Sequence, residues 1–280
     1  MNNMWYNEQY SNIRRIVARN GPEGSMDDRN ENLREELKSL LAEIGGVDSF
    51  TTAQAMTVMQ KLAEIFASMG LSEGEPGNFL TVYREIFHLE FFNLPDFNAG
   101  KYILTPNHVS EFDGPLFGVL HPNMLVMAKK EWTDDPRLNA SLGRYFKSVG
   151  VDRKDRMSGA VGIKKCIKHI RNYENSAATI FVQQTIADIN NIEPGDIASG
   201  AFLVHIGTGA AVLPVFCEQV SLDYPTRIVF GDPMDTAGPK QFGEDWLEAE
   251  LRMQKSLADP PARKPVLNEK HSIPISQRAY

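Results

Sequence analysis

Residues 101–118, KYILTPNHVSEFDGPLFG, join a short apolar run to the start of a helix. Tyr102, Ile103 and Leu104 read as the end of a buried strand, and Pro106 stops its pairing because it has no N–H to donate. Gly114-Pro115 suits a first helical turn, where proline is tolerated. His108 and Asp113 therefore bracket a strand-to-helix turn. Five positions is the wrong spacing for one helix face, but a turn folds the carboxylate back onto the imidazole. Asp113 would then hold one ring nitrogen as the N–H and leave the other free to take a proton from a hydroxyl or amine attacking an acyl carbonyl. A plainer alternative makes Asn107 and His108 turn formers and Asp113 a helix N-cap.

Downstream of this turn the pattern alternates. The β-type runs KYILTP, NMLVMA, SVGVD, ATIFVQ, AVLPVFCE and TRIVFGDP are separated by the helical stretches DGPLFGVL, DPRLNASLGRYFK, SGAVGIKKCIKHIRNYE and ASGAFLVHIGTG. Alternation of this kind predicts an α/β domain with a central, mostly parallel sheet flanked by helices, and in such sheets ligands gather at the carboxyl ends of strands. Upstream, DDRNENLREELKSLLAEIGG, SFTTAQAMTVMQKLAEIFASMGL and the aromatic NFLTVYREIFHLEFFN carry apolar residues at helical spacing and predict a small helical subdomain. The expected organisation is a polar segment at 1–26, the helical subdomain at 27–93, the α/β domain at 94–259 and a Pro-rich polar tail at 260–280.

The totals narrow the function classes. The chain has 280 residues, 42% hydrophobic and 23% charged, enough to bury a sizeable core without disulfides. Its net charge of −7 argues against a broad footprint on nucleic acid or an anionic membrane. Two cysteines fifty residues apart, Cys166 and Cys217, read as free core thiols in a reducing, cytoplasmic compartment. No Cys/His spacing suggests a metal site. Neither a signal peptide nor a transmembrane run is apparent, although peripheral contact with a membrane stays open.

NHVSEFD matches the N-H-x-x-x-x-D signature of the glycerol-phosphate and lysophosphatidate acyltransferases, and the chain resembles that family over roughly residues 85–235. Further landmarks follow in the family's order. In SVGVDRKD, Asp152 and Arg153 match the second block. IFVQQTIADINNIEPGDIASGAF stands in place of the third, and AVLPVF, with Pro214, matches the fourth. The third block departs from the pattern: Phe181 and Thr185 are kept, but Gln183, Gln184 and Ile186 replace the family's Glu, Gly and Arg.

The resemblance implies that His108 is a general base oriented by Asp113, with Asn107, Arg153, Gln183, Gln184, Thr185 and Ile186 near the acceptor. Ile186 cannot offer a phosphate the bidentate charge of an arginine. The acceptor is therefore expected to be something other than plain glycerol 3-phosphate, and the donor a fatty acyl thioester of acyl carrier protein or coenzyme A, with no metal or nucleotide cofactor. Backbone N–H groups of the turn and helix start are expected to face the oxyanion. A glycerol 3-phosphate or lysophosphatidate acyltransferase, with Arg153 and a lysine replacing the missing charge, is the second enzymatic reading. A degenerate relative that binds lipid or carrier protein without turnover is the third.

Other residues read more plainly. Lys164, Lys165 and Lys168 decorate one side of a helix and suit a solvated face, with the acidic surface of an acyl carrier protein or the phosphates of coenzyme A as the alternative partner. His205 reads as a satisfied core histidine, His121 as a turn residue, and Glu111 as a solvent-facing loop residue. The GTG at 207–209 reads as a helix-end turn.

Overall fold

The computed structural model describes residues 87–110, 113–136, 146–218 and 225–258, with isolated positions 32, 35, 36, 39, 57, 84 and 143. The expected polar start, most of the helical subdomain, Glu111 and the tail lie outside the described residues; the isolated positions before residue 87 are all helical.

Seven strands form one sheet: β1 (Leu89–Phe92), β2 (Lys101–Pro106), β3 (Met124–Lys129), β4 (Lys147–Val151), β5 (Ser176–Ile180), β6 (Ala211–Cys217) and β7 (Thr226–Phe230). Their order is β1-β7-β6-β2-β5-β3-β4, and every pair is parallel except β6–β7. The expected mostly parallel α/β sheet is therefore present. β2, the strand that leads into His108, sits at its centre between β5 and β6, which come later in the chain. Chain connections leave β2 in both directions, and the crevice opened by that reversal lies at its carboxyl end.

The helices are α1 (Asp113–Gly118), α2 (Lys130–Asp134), α3 (Arg156–Asn172), α4 (Gly200–Thr208) and α5 (Pro239–Ala258). α3 starts where Asp155 accepts the Met157 N–H at 2.9 Å, an N-cap that satisfies one orphan amide. Its buried stripe, Cys166 and Ile170, joins Ile103, Ala178, Val212 and the α5 residues Phe242 and Trp246 in one core. α4 ends at Gly209, whose φ of +70° is the left-handed C-cap that glycine adopts without strain; the expected helix-end turn at GTG is this cap. Beneath the centre of the sheet, fully buried Trp246 donates to the Thr105 carbonyl at 2.8 Å. A Cβ on Gly243 would lie 2.4 Å from the Pro194 carbonyl oxygen, so α5 rests directly on the third-block loop.

Two features differ from the sequence reading. The aromatic segment before residue 94 ends in strand β1, not helix: Leu89 is buried and Glu90 exposed, and the four residues pair with β7. The sheet domain thus begins before residue 94. α5 does not stand out in the pattern of strands, because its apolar positions are diluted by seven charged side chains in PKQFGEDWLEAELRMQKSLA.

Candidate active site

The site begins with how β2 ends. Pro106 offers no N–H, yet the chain stays in register with β6 because the Asn107 N–H donates to Val215 O at 3.1 Å. The Asn107 side chain then imitates a peptide group. Its Nδ2 donates to Cys217 O at 2.9 Å and its Oδ1 accepts the Cys217 N–H at 2.6 Å. Asn107 is 1% exposed and fixes where the next residue points. Both polar ends are thus engaged by β6, and Asn107 does not line the cleft that His108 borders.

His108 follows. Its Nδ1 lies 3.1 Å from Asp113 Oδ2, and the same oxygen accepts the N–H groups of Val109 and Ser110 at 2.9 Å each. A carboxylate oxygen already facing two donors accepts a third, so Nδ1 carries the ring hydrogen and Nε2 is left as the acceptor. Asp113 is fully buried, and its Oδ1 has no hydrogen-bond partner among the described residues. The carboxylate reaches back to the turn and not forward to the helix amides, so Asp113 orients the imidazole and does not act as an ordinary N-cap. Phe181 packs on the imidazole with ring centroids 4.6 Å apart.

His108 borders a cleft of about 590 Å³ at the carboxyl ends of β3, β4 and β5. The first turns of α1, α3 and α4 rim it through Gly114, Arg156, Gly159 and Gly200. Its walls include the apolar Val126, Met127, Phe146, Ile163 and Ile180, while Asp152, Arg153 and Asp155 gather on the second-block side. An apolar slot of this kind with a few convergent polar groups suits a ligand with an aliphatic chain.

The third block divides into two sets. Gln184 lines the cleft and is held at φ +59°, a left-handed conformation that costs a residue with a Cβ roughly 1–2 kcal/mol. Gln183, 5% exposed, turns inward: its Oε1 accepts the His108 N–H and its Nε2 donates to Ala187 O at 3.3 Å. It clamps the loop, where an acceptor contact had been expected. Thr185 and Ile186 are exposed beyond the cleft wall and are not brought to it. The expected oxyanion donors in the turn are also engaged elsewhere, the amide of His108 by Gln183 and those of Val109 and Ser110 by Asp113. Gly114, where a Cβ would meet nothing within 4 Å, presents open space at the helix start beside His108.

His121, His205 and the two thiols belong to the scaffold. His121 opens the expected turn, its carbonyl accepting the Met124 N–H at 3.0 Å, and is buried there: its Nδ1 accepts the Asn123 N–H at 3.1 Å, and burial, then Lys147 and His169, lower its pKa to about 4. His205 Nδ1 meets Ala210 O at 2.8 Å. Cys166 and Cys217 are free and buried, and burial raises both thiols, Cys166 to about 12. Among the described residues no group of His, Cys, Asp and Glu has the arrangement of a metal site, and no helix is long and apolar enough to cross a membrane.

The acyltransferase family model matches residues 88–218, a span that starts one residue before β1 and ends one residue past β6. Among solved structures, the 1-acyl-sn-glycerophosphate (LPA) acyltransferase PlsC from Thermotoga maritima is similar in fold, with a TM-score of 0.50 and 15% identity over 85% of this chain and 100% of that one. No curated protein matches the chain. The span that resembles the acyltransferase model thus contains the strand-to-helix turn that presents an oriented histidine to an apolar cleft.

Proposed function

We propose that the protein transfers a fatty acyl group from an acyl thioester, of acyl carrier protein or coenzyme A, to a hydroxyl or amine of an acceptor other than plain glycerol 3-phosphate. The observation that carries this reading is the Nδ1–Oδ2 contact of 3.1 Å between His108 and Asp113 at the edge of the cleft. The acceptor O–H or N–H gives its proton to Nε2 as its lone pair attacks the thioester carbonyl. The tetrahedral intermediate then expels the thiolate, which takes the proton back from the imidazolium. Buried Asp113 stabilises the imidazolium between the two steps.

The acceptor half of the proposal rests on the third block. Ile186 supplies no charge and stands outside the cleft, while Gln184 puts an uncharged amide into it. Such an amide suits a hydroxyl or amide-bearing acceptor. Exposed Arg153 on the cleft rim supports a second reading, in which a phosphate-bearing acceptor such as glycerol 3-phosphate or lysophosphatidate is held from the second block. Transfer from a labelled acyl thioester to glycerol 3-phosphate, lysophosphatidate, neutral alcohols and amines separates the two. Preference for a neutral acceptor supports the first, and preference for a phosphate acceptor that collapses in Arg153→Gln supports the second. No transfer to any acceptor, with thioester binding retained, would leave the chain as a binding relative.

A further inference from the structure

The chain is acidic, with 36 Asp and Glu against 29 Lys and Arg, yet that excess is unevenly placed. α3, RMSGAVGIKKCIKHIRN, and α4, GAFLVHIGT, contain no acidic residue. The outward side of α3 carries Arg156, Lys164, Lys165, Lys168 and Arg171, all exposed. Asp155 and Glu174 stand just beyond its two ends, and neither interrupts the face.

Among these cations lie large apolar side chains with most of their surface in water. Met157 is 70% exposed and Ile206 65%, with Val161 and Leu203 at 48% each. The two helices form one surface. A Cβ on Gly207 of α4 would come within 2.7 Å of Ile167 of α3, and Arg171 of α3 donates to the Gly207 carbonyl. Single exposed apolar residues are ordinary on a protein surface, but several on one acid-free basic face are not.

We infer that the joint outer face of α3 and α4 docks on a bilayer containing anionic lipid. Lysines and arginines meet the head groups while Met157, Val161 and Ile206 enter the boundary with the acyl chains, the division of labour of an interfacial helix. The boundary layer of a bilayer takes the cations and side chains as exposed as Met157 and Ile206 together, and an acidic protein partner is the outcome the variants below separate. The placement also serves the cleft. Arg156 and Gly159 of α3 and Gly200 and Leu203 of α4 lie on its rim, so a lipid chain leaving the docked bilayer reaches the slot without crossing bulk water. The net charge of −7 does not oppose this, because the acids lie elsewhere.

Sedimentation of the full chain with vesicles tests the inference without reference to turnover, so its failure is separate from any failure of the acyltransferase reading. Vesicles of phosphatidylcholine mixed with phosphatidylglycerol are expected to capture the protein, and pure phosphatidylcholine to capture far less. The pair Lys164→Gln and Lys168→Gln should weaken partitioning roughly 25-fold, about fivefold per lysine. The pair Met157→Ser and Ile206→Ser, at exposed sites that leave the core untouched, should weaken it by at least tenfold. Failure of anionic vesicles to capture the wild-type chain overturns the inference. Capture unchanged in both variant pairs also overturns it, and so does capture lost in the lysine pair but unchanged in the apolar pair, the pattern of a face built for an acidic protein.

Discussion

Gln183 accepts the main-chain N–H of His108 through its side-chain carbonyl, and its amide nitrogen donates to Ala187 O at 3.3 Å. The Ala187 N–H in turn reaches His108 O at 3.1 Å, so the third-block loop is latched to the His108 turn from both sides. Gln183→Ala orphans a buried N–H and a carbonyl, and should cost about 1–3 kcal/mol in urea denaturation. Gln183→Glu introduces the residue of the resembled third-block pattern but faces the Ala187 carbonyl with a carboxylate. It should destabilise the fold and leave kcat/KM for glycerol 3-phosphate no higher than in the wild type, because position 183 does not face the cleft.

Gln184 is the opposite case. It keeps a side chain at φ +59°, where the family pattern has glycine, and that side chain borders the cleft. Strain retained at a cleft residue points to a use for the side chain. Gln184→Gly should raise stability by roughly 1 kcal/mol while lowering kcat/KM for the protein's own acceptor. A thermal melt and a competition assay between acceptors read the two effects. Gain of stability with no change in acceptor preference would remove Gln184 from the acceptor site.

These two residues also mark how far the sequence could be read. The strand runs and the His108–Asp113 turn were legible because both depend on local pattern: apolar runs of strand length, a proline that ends pairing, and a Gly-Pro helix start. Which of two adjacent glutamines faces the ligand depends on a left-handed residue and a hydrogen bond across 75 positions, and neither leaves a trace in composition. The place of Asn107 is equally non-local, since its partner Cys217 lies 110 residues away. β1 was hidden because its aromatic residues continue a helical pattern, and only β7, 137 positions on from Leu89 to Thr226, gives it a ladder.

The scaffold should show a definite pH dependence. His121 titrates near 6.5 when unfolded, while burial first, then Lys147 and His169, lower it to about 4 in the fold. Between these values the unfolded chain binds the proton and the folded chain does not, so stability falls as pH drops from about 6.5 towards 4. His121→Gln should flatten that part of a melting-temperature profile. His169, also lowered, leaves a smaller residual slope.

Glu250 acts in the other direction. Fully buried on α5, it has no well-formed hydrogen bond to either oxygen, and burial raises it well above 4.5, offset only in part by the Val215 backbone. Above pH 4.5 the unfolded carboxyl ionises while the folded one keeps its proton, so stability is lost as pH rises towards the folded value. Glu250→Gln cannot ionise. Its melting-temperature advantage over the wild type should therefore grow from pH 5 to pH 8, and an advantage that stayed constant would mean the buried carboxyl is not what titrates.

His108 and Asp113 make separable predictions. His108→Ala removes the only ring on the cleft with a free basic nitrogen among the described residues, and should lower kcat by about 10²–10⁴-fold with little change in KM. Asp113→Asn is the sharper test, because its amide oxygen can still accept from His108 Nδ1, Val109 and Ser110, and its nitrogen falls where Oδ1 has no partner. Such a variant should melt close to the wild type yet turn over at least tenfold more slowly, since the charge that stabilises the imidazolium is gone. Asp113→Ala should instead lose both, with two buried amides unsatisfied at about 1–3 kcal/mol each. If Asp113→Asn kept full activity, the carboxylate would be a device for folding the turn, and the general-base assignment of His108 would lose its support.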